Sequence, residues 1–235
     1  MPTYAREEPT ECRPIDRWVG GVGWLAHPDE DGQRASHAFV GDDGVWLVDP
    51  LDAPGVDDLI AEYGTVAGVA VLSDYHARDA SAIAKRHGVS VHIPRWLDRA
   101  AARIRAPVER FAWSLGDSGF AVGRYAPFPG WCEAIAYRES DRTLYVPEVL
   151  GTAALFTVYS ERLGVYLLCR PVPPRGLLRD LAPERILVGH GEGVFDDAAA
   201  VLSDTLANAR RRLPHAVVTN GRAQLHAGIE ALGNW

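Results

Sequence analysis

Lysine is nearly absent from this chain. Lys85 is the only one, so arginine carries almost all the positive charge. With 24 Lys+Arg against 31 Asp+Glu the net charge is −7, which speaks against a nucleic-acid partner, since phosphate binding needs a basic face. Cysteine is scarce as well. Cys12, Cys132 and Cys169 are odd in number, far apart and form no Cys-x-x-Cys pair, so neither a disulfide framework nor a thiolate zinc site is expected. No apolar run approaches the ~20 residues of a membrane span. Met1 to Cys12 is polar and acidic, without an apolar signal region. A cytoplasmic, soluble protein with no membrane partner is the expectation. Gly20-Gly21-Val22-Gly23 lacks the strand-then-helix setting and the following lysine of a phosphate loop. Ser36 and Ser73 have no nucleophile elbow around them, which argues against serine-hydrolase chemistry.

What the chain does have is an ordinary globular composition, 47% hydrophobic and 23% charged over 235 residues, enough for one substantial domain. Short apolar runs at Ala38–Val40 and Val45–Val48 flank Gly41-Asp42-Asp43-Gly44, a hairpin signal that Asp49-Pro50 closes. Helical spacing follows at Val56, Leu59, Ile60 and Tyr63, then a strand near Val66–Leu72, a helix from Ala80 to His87 and a strand at Val89–Ile93. This hairpin followed by alternating helix and strand predicts a mixed sheet with helices packed on it. From Phe111 the texture turns to short strands, among them Ala134–Tyr137, Thr143–Val146 and Arg185–Val188. Residues 153–168 fit neither period, and terminal helices are expected over Val194–Arg212 and Gly221–Leu232.

The strand Val66–Leu72, broken only by Gly68, delivers a dense polar cluster from Ser73 to Asp79. A buried strand with titratable groups at its carboxyl end is how open α/β sheets build sites. Further landmarks come in order: Val48-Asp49-Pro50, Pro129-Gly130, Leu144-Tyr145-Val146-Pro147-Glu148 and Gly189-His190-Gly191. In this set the chain resembles the metallo-β-lactamase-fold superfamily, the zinc hydrolases that include glyoxalase II-like enzymes. The resemblance implies an α+β fold, a four-layer αββα sandwich of two mixed sheets flanked by helices. The domain would span residues 18–212, with an N-terminal extension over 1–17 and a C-terminal helical tail over 213–235.

The resemblance also implies a metal loop of the form Thr-His-x-His-x-Asp-His, and here this sequence departs from it. His76 keeps the second histidine, while Asp74, Arg78 and Asp79 stand where the first histidine, the aspartate and the last histidine belong. Trp131 replaces the histidine after Pro-Gly, Glu148 replaces the bridging aspartate, and His190 is kept. Neither half of a two-metal site is whole. Arginine has no lone pair to offer, and its charge repels a second cation.

The residue types leave three readings. The leading one is an eroded dinuclear site, not that of a conventional two-zinc hydrolase, in a protein that binds a small anionic ligand or is not catalytic. Arg78 would then receive the anion and Trp131 would wall the ligand, against the plainer alternatives of an internal salt bridge for Arg78 and a space-filling role for Trp131. In the second, His76, Glu148 and His190 hold one divalent ion (zinc, manganese or iron) and Asp79 or Asp74 serves catalysis, in a hydrolase of esters, thioesters or lactones. In the third the chain is an interaction scaffold. The cofactor is thus none or one metal ion, and Leu213 to Trp235 is where a homodimer contact would fall.

Overall fold

The computed structural model describes residues 2–233. Two mixed β-sheets stack face to face, with helices against their outer faces. The first sheet holds β1 (Arg13–Trp18), β2 (Gly21–Leu25), β3 (Ala35–Val40), β4 (Val45–Val48), β5 (Val66–Ala70), β6 (Val91–Pro94) and β7 (Val108–Phe111), in chain order. Its first four strands form an antiparallel meander, and β4 to β7 run parallel. The parallel part needs crossovers, supplied by α1 (Val56–Ala61), α2 (Ala80–His87) and α3 (Asp98–Arg103). The second sheet contains β8 (Ser114–Leu115), β9 (Phe120–Tyr125), β10 (Glu133–Arg138), β11 (Thr143–Val146) and a later strand, β14 (Arg185–Val188), parallel to β11. Between them β12 (Leu150–Gly151) and β13 (Gly164–Val165) make a small ribbon, and α4 (Arg175–Leu178) precedes β14. The last element, α5, is Ala198–Gly233.

Three apolar layers hold this sandwich together. Val45 and Leu47 of β4 point at the helices with Val69, Ile83 and Leu59, while Trp46 and Val48 point at the second sheet with Phe39, Leu72, Phe120, Tyr145 and Leu187. A strand buried on both faces reads as continuously apolar, as Val45–Val48 does. The third layer joins β10, β11 and β14 to Leu202, Leu206 and Ala209 of α5. Gly68, the interruption in the apolar run of β5, is where the Trp46 indole packs; a Cβ there would lie 2.6 Å from the ring. Arg13–Trp18, within the stretch expected as an extension, pairs with β2 at the sheet edge. No helix among the described residues is long and apolar enough to cross a membrane.

One helix replaces the two expected at the end of the chain. Pro214 lies inside α5, where it removes a backbone N–H donor and by itself favours a break. Tertiary contacts on both sides of it carry the helix through. Before it, Leu206 and Ala209 sit in the core. After it, Asn220 Nδ2 donates to the carbonyls of Leu155 (3.0 Å) and Thr157 (2.9 Å), and Gln224 Oε1 accepts from Leu167 N at 2.8 Å. The helix thereby fixes residues 153–168, whose conformation the sequence leaves open.

Glu161 of that segment forms a buried ion pair with Arg170. Arg170 and Glu161, each with 1% side-chain exposure, meet through two hydrogen bonds of 2.7 and 3.0 Å. Arg170 also donates to the Phe156 carbonyl at 2.7 Å. Removing Arg170 leaves Glu161 buried with only the longer contact to Arg212 Nη1 (3.4 Å) to offset its charge. Arg170→Ala is therefore expected to lower stability by about 3–5 kcal/mol in urea unfolding. Arg142→Ala, which breaks the exposed pair with Glu184, should leave the urea midpoint almost unchanged.

Candidate metal centre

Four strands from the two sheets end at one edge, and each leads into a site residue: β4 into Asp49, β5 into the loop bearing His76, β11 into Glu148 and β14 into His190. Parallel pairing of β4 with β5 and of β11 with β14 puts these carboxyl ends side by side. Backbone bonds stitch the sheets together there, from Ala134 N to Leu72 O (2.7 Å) and from Ala35 N to Gly189 O (2.9 Å).

His76, Glu148 and His190 are buried and bring one ligand atom each to within 4.8 Å of one another. His76 Nε2 lies 2.7 Å and His190 Nε2 3.4 Å from Glu148 Oε2. Both imidazoles are oriented from behind. His76 Nδ1 faces Asp49 Oδ2 at 3.0 Å and His190 Nδ1 faces the Gly32 carbonyl at 2.7 Å. Carboxylates and carbonyls only accept, so Nδ1 carries the proton in each ring. With Nδ1 committed in this way, both Nε2 atoms face the cleft, as in metal sites whose histidines are held by outer carboxylates or carbonyls. Neither approach to Glu148 Oε2 is aligned as a hydrogen bond, so among the described residues His190 Nε2 and Glu148 Oε2 are left unsatisfied.

Asp49 is the hidden support of this group. Fully buried, its carboxylate accepts from His76, from Tyr145 Oη (2.7 Å) and from Leu72 N (2.8 Å). Burial pushes its pKa up, but the charges of His76 and Arg78 and these bonds outweigh that and hold it below the usual value. Glu148 behaves likewise. Burial opposes its ionisation, yet His190 and His76 hold it well below the carboxylate range. His76 itself is pulled down by burial and by Arg78, and pushed up further by Asp49 and Glu148.

Arg78 is not an open anion receptor. Its Nη1 donates to the carbonyls of Ala35 (2.6 Å) and Asp49 (2.7 Å), and its Nη2 to that of Gly189 (3.2 Å). Nη2 also lies 3.3 Å from His76 Nε2. These carbonyls, not a salt bridge, hold the guanidinium and keep Arg78 at φ +37°, a backbone region that an arginine seldom occupies. Trp131 does wall the cleft, with its Nε1 donating to buried Glu133 at 2.8 Å. Asp74 and Asp79 are not brought to the three ligands. Asp74 accepts from Ala100 N at the start of α3 (3.1 Å), and Asp79 from Asp52 N (2.8 Å). The structure brings together His76, Glu148 and His190, drawn from both halves of the site that the resemblance implies.

Sequence reasoning missed Asp49, Glu133 and Tyr4. Asp49 and Glu133 had a signal, each being a carboxylate set directly against an apolar strand. Glu133 is fully buried and accepts from Trp131 Nε1 and from the backbone of Glu148 (2.9 Å) and Val149 (3.2 Å), fixing the turn that presents Glu148. Burial first, with the Glu148 charge adding, raises its pKa to about 7 against these donors. Tyr4 had no signal. It reaches the cleft because Pro2–Ala5 are tied to the turn at 30–34, where Glu30 accepts from Ala5 N (2.9 Å) and from Arg34 Nε and Nη2 (2.7 Å each).

No family model matches the chain, and no curated protein matches it. Solved structures do. The chain is similar to a metallo-β-lactamase from Pontibacter korlensis, at 14% identity over 85% of this chain and 99% of that one, TM-score 0.61. It is also similar to the metallo-β-lactamase FIM-1 from Pseudomonas aeruginosa in its mono-zinc form, at 12% identity over 88% and 99%, TM-score 0.56. A flavodiiron protein from Giardia intestinalis aligns at 11% identity over 87% of this chain and 61% of its own, TM-score 0.60. At these identities the likeness is one of fold. The chain has the metallo-β-lactamase fold, as its ordered landmarks imply.

The Glu30 anchor makes attachment of the N-terminal segment pH-dependent. Burial alone raises the Glu30 carboxyl, but Arg34 and two backbone donors outweigh it and hold it below the ordinary value. A depressed folded-state pKa contributes stability that is complete above the unfolded value of ~4.3 and is lost as pH falls through the lower folded value. Hydrogen exchange at the Ala5 and Gly32 amides, corrected for intrinsic rates, is expected to accelerate below pH ~4. In Glu30→Gln it should be fast already at neutral pH.

Proposed function

We propose that His76, Glu148 and His190 hold one divalent metal ion, and that the chain is a single-metal hydrolase of a small ester or thioester. The observation that carries this reading is the convergence of three buried ligand atoms, of which His190 Nε2 and Glu148 Oε2 make no aligned hydrogen bond among the described residues, their close approaches being only to one another and to His76 Nε2. A buried polar atom left unpaired costs about 1–3 kcal/mol, and one cation at the point of convergence would satisfy both. Two imidazoles and a carboxylate suit zinc, manganese or iron, and with zinc they leave a fourth position open. An ion held there supplies Lewis acidity, lowering the pKa of water and polarising a carbonyl oxygen. Asp49 and the Gly32 carbonyl would hold the two rings in the tautomer that ligation needs. Trp131 and Tyr166, with ring centroids 4.9 Å apart, would limit water around the reacting group.

Arg78 supports one ion rather than two. A permanent cation beside His76 raises the cost of a second positive charge in the same cleft. The hydrolase part of the reading leans on fold analogy, one neighbour of which carries a single zinc.

One observation favours a second reading, the eroded and non-catalytic site. Arg78 Nη2, 3.3 Å from His76 Nε2, can occupy the lone pair that a metal needs. In place of that contact, a protonated His76 would donate its Nε2–H to Glu148 and close the site as an ion pair; in either state the lone pair is spent, and Asp74 and Asp79, turned elsewhere, are not placed to act as a base.

Elemental analysis of the purified protein separates the two. The metal reading expects close to one zinc, manganese or iron per chain in the wild type and almost none in His76→Ala and His190→Ala, with Arg78→Ala keeping its ion. No metal after incubation with all three ions would overturn it and leave the ion-paired site. Asp49→Asn, which weakens the support behind His76, should lower metal affinity by roughly 10- to 100-fold in a chelator competition.

A further inference from the structure

The cleft above the three candidate ligands has a volume of about 360 Å³, and five aromatic residues line it together with Arg34, Arg78 and Arg103. On one side Trp131 packs against Phe128 (5.8 Å between centroids), Tyr166 (4.9 Å) and Tyr75 (6.2 Å), a continuous aromatic surface. Beside His190 the wall is Tyr4, its ring 6.2 Å from the imidazole. Tyr4 is half-buried although it belongs to the first few residues of the chain.

Its placement is built in. Asp31 N donates to Pro2 O (3.1 Å), Gly32 N to Thr3 O (2.9 Å) and Arg34 Nη2 to Ala5 O (3.0 Å), so the segment lies along the 30–34 turn. The Arg34 guanidinium sits 5.4 Å from the Tyr4 ring centroid. Gly32 is the close approach that seats the ring, since a Cβ there would come 2.5 Å from Tyr4 Cε1. The same Gly32 offers its carbonyl to His190 Nδ1 at 2.7 Å. One turn therefore positions both a ligand histidine and the aromatic ring beside it.

We propose that Tyr4 is a specificity-determining residue of this cleft, and that the cleft takes a compact ligand with a flat, apolar body and a single polar end. The flat body lies among Tyr4, Trp131 and Tyr166, and the polar end reaches His76, Glu148 and His190. Aromatic walls reward ring stacking and offer little to a flexible polar chain. The inference rests on reading the cleft as the working site, and gives that site its ligand class.

Calorimetric titration of the full-length protein with 2-naphthoate, beside butyrate as a carboxylate without a ring, tests the proposal. Wild type should bind naphthoate and discriminate against butyrate. Tyr4→Ala should weaken naphthoate binding roughly three- to tenfold, the range one aromatic contact supplies, with Tyr4→Phe within about twofold of wild type. Glu30→Gln leaves the ring intact but releases its seat, and should weaken binding in the same direction; it carries the test should Tyr4→Ala fold poorly. Equal affinities in wild type and both strap variants, or no preference for naphthoate over butyrate, would overturn the proposal. Metal content measured on the same samples keeps the two readings apart. Wild type without an ion but with binding that depends on Tyr4 sinks the single-metal reading alone, while a full ion with binding indifferent to Tyr4 sinks this one alone.

Discussion

The carboxylate of Asp49 is the constraint on which the rest of the site depends. It lies at the end of a strand of one sheet, fully buried, and its three donors come from three places: an imidazole of the metal loop, a phenol from the opposite sheet and a backbone amide at the end of the next strand. An ionised group so deep is tolerable only because every donor is supplied. Its backbone is engaged as well, its carbonyl accepting from Arg78 and from Ser36 Oγ. The residue adopts φ +48°, a left-handed conformation that aspartate accepts more readily than most. Sheet packing, ring orientation and the placement of Arg78 thus share one anchor.

Around that anchor the charges alternate in sign. Arg78 lies against carbonyl oxygens from the ends of three strands and against His76, which lies between Asp49 and Glu148. A cluster of this kind stays folded because each charge has a partner, and it leaves little room for added positive charge. Glu133 does for Glu148 what Asp49 does for His76, from behind and through backbone amides. The aromatic residues then decide what shape of molecule can approach.

The sandwich was legible because its signals are local or ordered along the chain. Val45–Val48, Thr143–Val146 and Arg185–Val188 read as strands and are strands, and Ala80–His87 is a helix with the expected ends. His76, Glu148 and His190 were legible as candidate ligands because each follows such a strand. Pro214 misled because a helix-breaking propensity is local, whereas the contacts of Leu206, Asn220 and Gln224 that override it join distant parts of the chain. Arg78 was legible as a residue that cannot ligate but not as one spent on carbonyls, since backbone acceptors leave no mark in the sequence. Asp74 and Asp79 looked like site residues because they neighbour His76. A loop that turns twice sends their carboxylates to α3 and to the turn after β4 instead. Tyr4 shows the limit most plainly, since nothing about a polar opening segment says that it folds back over a cleft.

The order of the strands also sets when the site can come into being. β14 is made after every other strand, and it slots in parallel beside β11 across the long connection that holds β12, β13 and α4. His190 rides on its end, so a chain emerging from synthesis has His76 and Glu148 well before it has their third partner. Until β14 docks, Glu148 lacks one of the two imidazoles that hold it ionised, and the Gly32 carbonyl has no ring to orient. Docking a parallel strand across so long a loop is intrinsically slow. The edge that carries the candidate site is therefore a composite surface, complete only once the two halves of the sandwich have found each other.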